Sequence, residues 1–222
     1  MSLILNIDTS MENAFVVLGM DESIIGLAEN PIQKDHAGFL HGAVKQVMDD
    51  CGKQFSELDA IAVTAGPGSY TGIRVGMASA KGLSFALNKP LITINTLELL
   101  AVDAIAHNAF EESCLFCPMI DARRMEVYTA IYDKRGKEIV SPTALILDEN
   151  FNRKFSIQDK LILFGNGSVK CKELSVFKDA IFTENVNIPE AMLQLSDKLF
   201  LRKSFTDLIF SEPSYLKEFF NR

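Results

Sequence analysis

LFCPMID, residues 115–121, carries the same pattern as ILNID at residues 4–8, an apolar strand ending on Ile-Asp. A second strand candidate follows each: AFVVL (14–18) after the first and MEVYTAIY (125–132) after the second. The next turn comes 13 residues after Asp8, at Asp21, and 12 residues after Asp121, at Asp133. Further along, AIAVTA (60–65) runs into Gly66-Pro67-Gly68-Ser69, and LILF (161–164) runs into Gly165-Asn166-Gly167-Ser168. One such match arises by chance. Two ordered matches in each half predict an internal duplication.

The repeated unit reads as hairpin strands, then a strand, a G-x-G-S turn and a helix. In the first half, LILNI (3–7), AFVVL (14–18) and SIIGLA (23–28) form an antiparallel meander. A helix follows from Asp35, its N-cap, to Cys51, with Gly52 at C′. Its apolar positions Ala37, Leu40, Ala43, Val44, Val47, Met48 and Cys51 recur at helical spacing, and Phe39 widens the stripe. AIAVT (60–64) reads as a central parallel strand. The helix 71–87 holds Gly72, Gly76, Ala80 and Gly82, so another backbone, its own sheet's or a partner's, is expected to approach it closely. LITI (91–94) is a strand, and Asn95 with Glu98 opens a helix to about His107. Such a duplication gives an α/β protein of two lobes, 1–109 and 110–222, with the terminal helix free to pack back on the first. That is the architecture of the actin, sugar kinase and heat-shock ATPase superfamily (ASKHA, ribonuclease H-like).

Composition narrows the function. The 222 residues carry 22 Lys+Arg against 29 Asp+Glu, a net charge of −7. That disfavours a chain that grips nucleic acid unaided, because phosphate affinity comes from Lys and Arg. No basic segment precedes an apolar one at the start, and no 18-residue apolar run occurs, so a cytoplasmic location without membrane contact is expected. Cys114 and Cys117 form a single C-x-x-C inside an apolar strand. A structural zinc needs a second pair, so these read as core cysteines.

Phosphate turns use glycine-rich backbone with positive charge or a helix N-terminus nearby. The first turn, Asp8-Thr9-Ser10-Met11-Glu12-Asn13, has no glycine and an acidic Glu12. The second, Asp121-Ala122-Arg123-Arg124, also lacks glycine. ATP hydrolysis is therefore disfavoured, and Asp8 is expected to cap its own turn. GPGSYTG (66–72) reads as a strand-to-helix turn capped by Ser69 or Thr71, with free N–H groups able to hold an anion. The low-ranked nucleotide or anion set, a vestige of the superfamily, is Asp8, Thr9, Ser10, Gly66, Gly68, Ser69, Arg123, Gly165 and Gly167. His36 and His41, five apart, point about 140° apart on a helix and make a poor metal pair. No metal site, catalytic residue or nucleophile elbow is expected.

ILNIDTS, the helix opening at His36-Ala37, the block GPGSYTGIRVGMASAKGLSFAL (66–87), DAR-x-x-EVY from Asp121 to Tyr128, and Pro213-Ser214-Tyr215-Leu216-Lys217 together resemble the TsaB (YeaZ) family. His41-Gly42 depart from a Leu-Leu-Pro-like segment of many relatives, and Lys217 stands for a commoner Arg. The resemblance implies a non-catalytic paralogue of TsaD, the transferase that puts threonylcarbamoyl on adenosine in tRNA. It implies a TsaD-like partner with a TsaE-like ATPase, tRNA contact only through that complex, and a homodimer in isolation. It implies a partner surface on helices 36–51 and 71–87: His36, Phe39, Leu40, Ala43, Val47, Thr71, Arg74, Val75, Gly76, Ser79 and Gly82. No cofactor is required, though an adenine nucleotide at a subunit interface near Arg123 is compatible. The competing readings are an active ATP-dependent enzyme of this fold and, least supported, an M22-type metallopeptidase, the old glycoprotease label of the family.

Overall fold

The computed structural model describes residues 2–32, 35–111, 113–155 and 157–217. Contacts group the chain into two compact units, the residues up to Thr96 with Pro189–Ser214, and Leu97–Ile188 with the chain from Tyr215.

The first unit is built on a five-stranded sheet ordered β3-β2-β1-β4-β5. Its strands are β1 (Leu3–Asp8), β2 (Ala14–Met20), β3 (Ser23–Asn30), β4 (Ala60–Gly66) and β5 (Leu91–Asn95). β1 pairs antiparallel with β2 and parallel with β4. It is buried along its whole length, which is why LILNI reads as a continuous apolar run rather than an alternating one. α1 (His36–Asp50) and α2 (Tyr70–Leu87) bury Leu40, Val44, Val47, Met48, Met77 and Ala80 with Leu3, Leu5 and Ile7 of β1. Asp35 precedes α1 as expected but makes no side-chain cap bond. Its carboxylate lies instead where a Cβ on Gly38 would go. Gly52 takes the left-handed φ of +62° that a C′ residue needs.

The second unit repeats the order: β8-β7-β6-β9-β10 runs hairpin, hairpin, centre, parallel, parallel, as β3-β2-β1-β4-β5 does. Its strands are β6 (Leu115–Asp121), β7 (Glu126–Tyr132), β8 (Glu138–Ile146), β9 (Leu161–Phe164) and β10 (Ile181–Phe182), with the short helix α4 (Phe151–Phe155) between β8 and β9. The duplication therefore holds strand for strand, and the fold class expected from sequence is the one found. The copies part after the Gly-x-Gly-Ser turn. Where the first has the 18-residue α2, the second has only a 3₁₀ helix, Ser168–Glu173. Val169, Lys170 and Lys172 give it no apolar stripe, and only Ser168 and Cys171 are buried. Cys114 and Cys117 are core residues, 3% and 0% exposed. Burial pushes the Cys117 thiol up to about 12, so it stays an inert apolar group.

α3 (Thr96–His107) carries a fully buried carboxylate, Asp103. It accepts from Asn185 Nδ2 (2.8 Å), Val186 N (2.8 Å) and Asn187 N (2.7 Å), pinning the segment that enters α5 (Ile188–Leu201). We expect Asp103→Ala to cost about 2–3 kcal/mol, since it removes at once the buried acceptor of three part-buried donors. A urea midpoint equal to that of the parent chain would refute that clamp.

Candidate functional site

The turn after β1 faces the turn before α2. Asp8 is 1% exposed, and its Oδ1 accepts from Thr64 Oγ1 at 2.6 Å and from Ser10 N at 2.7 Å. The second bond closes the Asx turn expected of Asp8. Thr9 Oγ1 donates to Gly72 O at 2.7 Å, and Ser69 N donates to Ser10 O at 2.7 Å. Ser69 is the α2 cap: its Oγ accepts from Gly72 N at 3.3 Å.

The glycines explain how so much backbone fits. A Cβ at Gly68 would collide with Ser10 O, one at Gly72 with Thr9 O, and one at Gly76 with Thr9 Oγ1. Gly68, Gly72 and Gly76 are therefore cut to the shape of the β1–β2 turn. Asp8, Thr9, Ser10, Gly66, Gly68 and Ser69 do come together, but as backbone packed on backbone. The turn presents carbonyl oxygens to the α2 N-terminus, where an anion site needs unspent N–H donors. Ser69 N and Gly72 N are already taken.

Burial raises the pKa of Asp8, and the Thr64 and Ser10 hydrogen bonds, with His36 beyond them, pull it back only in part. A carboxylate whose folded pKa is raised contributes its stability below the unfolded pKa and loses it as pH rises through the folded one. Asp8→Asn keeps an Oδ1 acceptor for Thr64 and Ser10 and removes the buried charge. Its stability relative to the parent should thus improve from pH 4 to pH 7 in urea titrations. A constant difference across that range would contradict the buried-charge account.

The second unit has the matching arrangement at Asp121. Gly167 N donates to Met119 O at 2.9 Å, and a Cβ at Gly165 would collide with that same oxygen. Arg123 N donates to Asp121 Oδ1 at 2.5 Å, and Lys170 Nζ reaches the same oxygen at 2.6 Å. Partial burial pushes Asp121 up, but the Lys170 bond, the Arg123 N–H and both cations outweigh it and hold the carboxyl below its usual range. Arg123 and Arg124 are exposed, with left-handed φ of 69° and 49°. Lys217 pairs with Glu126.

The expected partner positions divide by burial. Leu40, Ala43 and Val47 lie in the chain's own core, and Gly76 sits buried against Thr9 and Val63. The wide stripe of α1 is spent on its own sheet and on α2. His36 is 4% exposed, with Nε2 2.9 Å from Met11 O. His41 is exposed, so the two histidines face different ways. Phe39 and Val75 are partly buried against the core, and Ser79 is half-buried. Thr71, Arg74 and Gly82 are exposed. Small residues stand among those that α1 and α2 turn outward, Ala37, Gly38 and Gly42 on one and Thr71, Ala78 and Gly82 on the other, beside larger ones such as His41, Lys45, Gln46, Tyr70, Arg74 and Phe85. Beyond the adjoining residues and backbone of their own helix, no described atom lies within 4 Å of where a Cβ on Gly42 or Gly82 would sit. The partner positions expected from sequence include Gly82 but not Gly42, which the sequence marks only as a departure from relatives; its spacing of four from Gly38 sets both on the exposed face of α1. Among the described residues no helix is long and apolar enough to cross a membrane, and no group of three His, Cys, Asp or Glu could hold a metal.

Two sheets of one topology, each with an Asp-ended strand packed on a Gly-x-Gly turn, define a protein of the duplicated actin-like class. A structure of (R)-2-hydroxyglutaryl-CoA dehydratase component A from Acidaminococcus fermentans shares that fold at TM-score 0.52 and 6% identity, over 91% of this chain and 98% of that one. The family model "TsaD: tRNA N6-adenosine threonylcarbamoyltransferase" matches residues 26–206. The tRNA threonylcarbamoyladenosine biosynthesis protein TsaB of Bacillus subtilis is 33% identical over 72% of this chain and 69% of its own. YeaZ from Pseudomonas aeruginosa superposes at TM-score 0.80 with 26% identity, over 97% of this chain and all of that one. The chain belongs to the TsaB (YeaZ) family, within the wider group that the TsaD model describes.

Proposed function

We propose that this chain serves tRNA threonylcarbamoyladenosine synthesis as a non-catalytic partner subunit. It pairs a TsaD-class transferase through the outward faces of α1 and α2, with a TsaE-class ATPase completing the assembly. The observation that carries this reading is the filled turn. Ser10 O accepts from Ser69 N, and Thr9 O lies where a Cβ on Gly72 would go, so the turn offers the α2 N-terminus carbonyl oxygens in place of the free N–H donors a phosphate needs. That disfavours an active ATP-dependent enzyme.

The helix faces supply the pairing surface. Glycine within a helix costs about 0.5–1 kcal/mol relative to Ala. At Gly72 and Gly76 the chain's own turn explains the cost. At Gly42 and Gly82 nothing in the described chain does, and a partner helix at close approach would. The net charge of −7 fits a subunit that leaves tRNA binding to its partner. In isolation the same face serves an isologous homodimer.

Reconstitution tests the proposal. Transferase and ATPase should modify tRNA with this chain present and lose most of that activity without it. Equal modification in its absence would end the proposal, as would ATP turnover by the chain alone.

A further inference from the structure

The two units treat the turn after their central strand differently. In the first, Ser10 N donates to Asp8 Oδ1, and the turn is packed under α2, with Ser10 1% exposed. In the second, Arg123 N donates to Asp121 Oδ1 in the same Asx geometry, so Arg123 and Arg124 stand where the first copy has Ser10 and Met11. Here the 3₁₀ helix Ser168–Glu173 takes the place of α2, and Asp121, Arg123 and Arg124 are left in water.

The charges on this turn do not cancel. Its two carboxylates are Asp121 and Glu126. Lys170 Nζ donates to Asp121 Oδ1 at 2.6 Å and to Glu126 O at 2.8 Å, and Lys217 pairs with the Glu126 carboxylate. Each acid therefore has a lysine of its own, which leaves both arginine charges uncompensated. Among the described residues neither guanidinium is held by a hydrogen bond or an ion pair. The backbone beneath them is fixed: Ala122 N donates to Glu126 O and Glu126 N to Arg123 O, each at 3.1 Å. Both arginines keep a left-handed φ, where glycine or asparagine fits at less cost, so the turn itself does not call for arginine.

A guanidinium is a planar fork of donors that matches phosphate bidentately and stays charged at any physiological pH. Filling two forks on consecutive residues calls for two anions side by side. A nucleic acid strand supplies them at every step, because each nucleotide carries a phosphate. A polypeptide supplies them only where two acids lie on one side. We propose that Arg123 and Arg124 hold neighbouring backbone phosphates of the tRNA in the assembled complex. This rests on the reading above, that the chain pairs with a tRNA-modifying transferase, and adds to it an RNA contact made by this chain itself. The net charge of −7 keeps the isolated chain off RNA, so the partner does most of the gripping and the turn adds to it locally.

The test uses the full chain in complex with a TsaD-class transferase and an unmodified tRNA, with Arg123→Gln and Arg124→Gln combined. Neither side chain holds the fold, so circular dichroism, the urea midpoint and calorimetric affinity for the transferase should match the parent. Affinity for the tRNA at about 0.1 M salt should fall at least tenfold, and the slope of log affinity against log salt should flatten by about 1.5, as expected when two phosphate contacts are lost. Arg123→Lys with Arg124→Lys keeps the charges and should restore most of that slope. An unchanged slope in the Gln variant, with pairing intact, overturns this inference and leaves the pairing reading standing. Affinity for the transferase lost along with the arginines makes an acidic polypeptide the occupant and overturns it too. So does loss of Mg-ATP affinity with the tRNA slope intact, which makes a free nucleotide the occupant. A parent chain that does not pair with the transferase ends both readings.

Discussion

A Gly72→Val chain should unfold at a markedly lower urea concentration than its parent, by at least about 3 kcal/mol. Overpacking a core costs about 1–3 kcal/mol when side chains can move aside, and more when they cannot. At Gly72 the obstacle is Thr9 O, a backbone atom of a turn with no freedom to retreat. Asp8 binds it to Thr64, Ser10 O holds Ser69 N, and Thr9 Oγ1 holds Gly72 O. Moving the turn would break these bonds, at about 1 kcal/mol each. Against a total stability of about 5–15 kcal/mol the loss is large. Gly82→Ala is the matched control. It lies on the same helix with open space around it, so it should stabilise by about 0.5–1 kcal/mol. If Gly72→Val unfolds at the parent midpoint, the turn can open, and an ATP-binding reading of this unit returns.

The contrast between these glycines shows where the sequence was legible. The duplicated strands were legible in the repeated apolar runs, because a central buried strand is apolar along its length and β1 and β6 both obey that rule. Asp8 as the cap of its own turn was also legible, since the Asx geometry depends only on residues 8–10. Gly72 and Gly82 were not separable. Both are helical glycines in one small-residue pattern, and the difference between them is what lies opposite. For Gly72 it is Thr9, 63 positions away in sequence. No local window holds that information. Counting apolar width on α1 failed for a related reason. Phe39 looked surplus to one flat contact, but α1 packs on β2, β3 and α2 together and Phe39 is partly buried against that core. The course of residues 206–214 was invisible because they have no periodicity. Their order comes from Lys81, Thr93 and Ala65 in distant elements.

Gly82→Glu should abolish pairing with the transferase, by at least a hundredfold, in a chain that folds as well as its parent. The fold has no stake in the position: Gly82 is exposed and its Cβ site is empty among the described residues. Glu is also the better helix former, so stability should rise slightly. At an interface where backbones approach closely, the same carboxylate must leave water without a partner. That costs several kcal/mol, and each 1.4 kcal/mol is a factor of ten in affinity. Gly76→Glu provides no such test, because its side chain would meet Thr9 inside the core and unfold the unit. The measurement is titration calorimetry beside urea unfolding, with reconstituted tRNA modification as the functional readout. Modification should fall with the affinity and recover partly at high protein concentration, as expected when only association is weakened. Undiminished affinity in a folded Gly82→Glu chain would move the partner surface off α1 and α2 altogether.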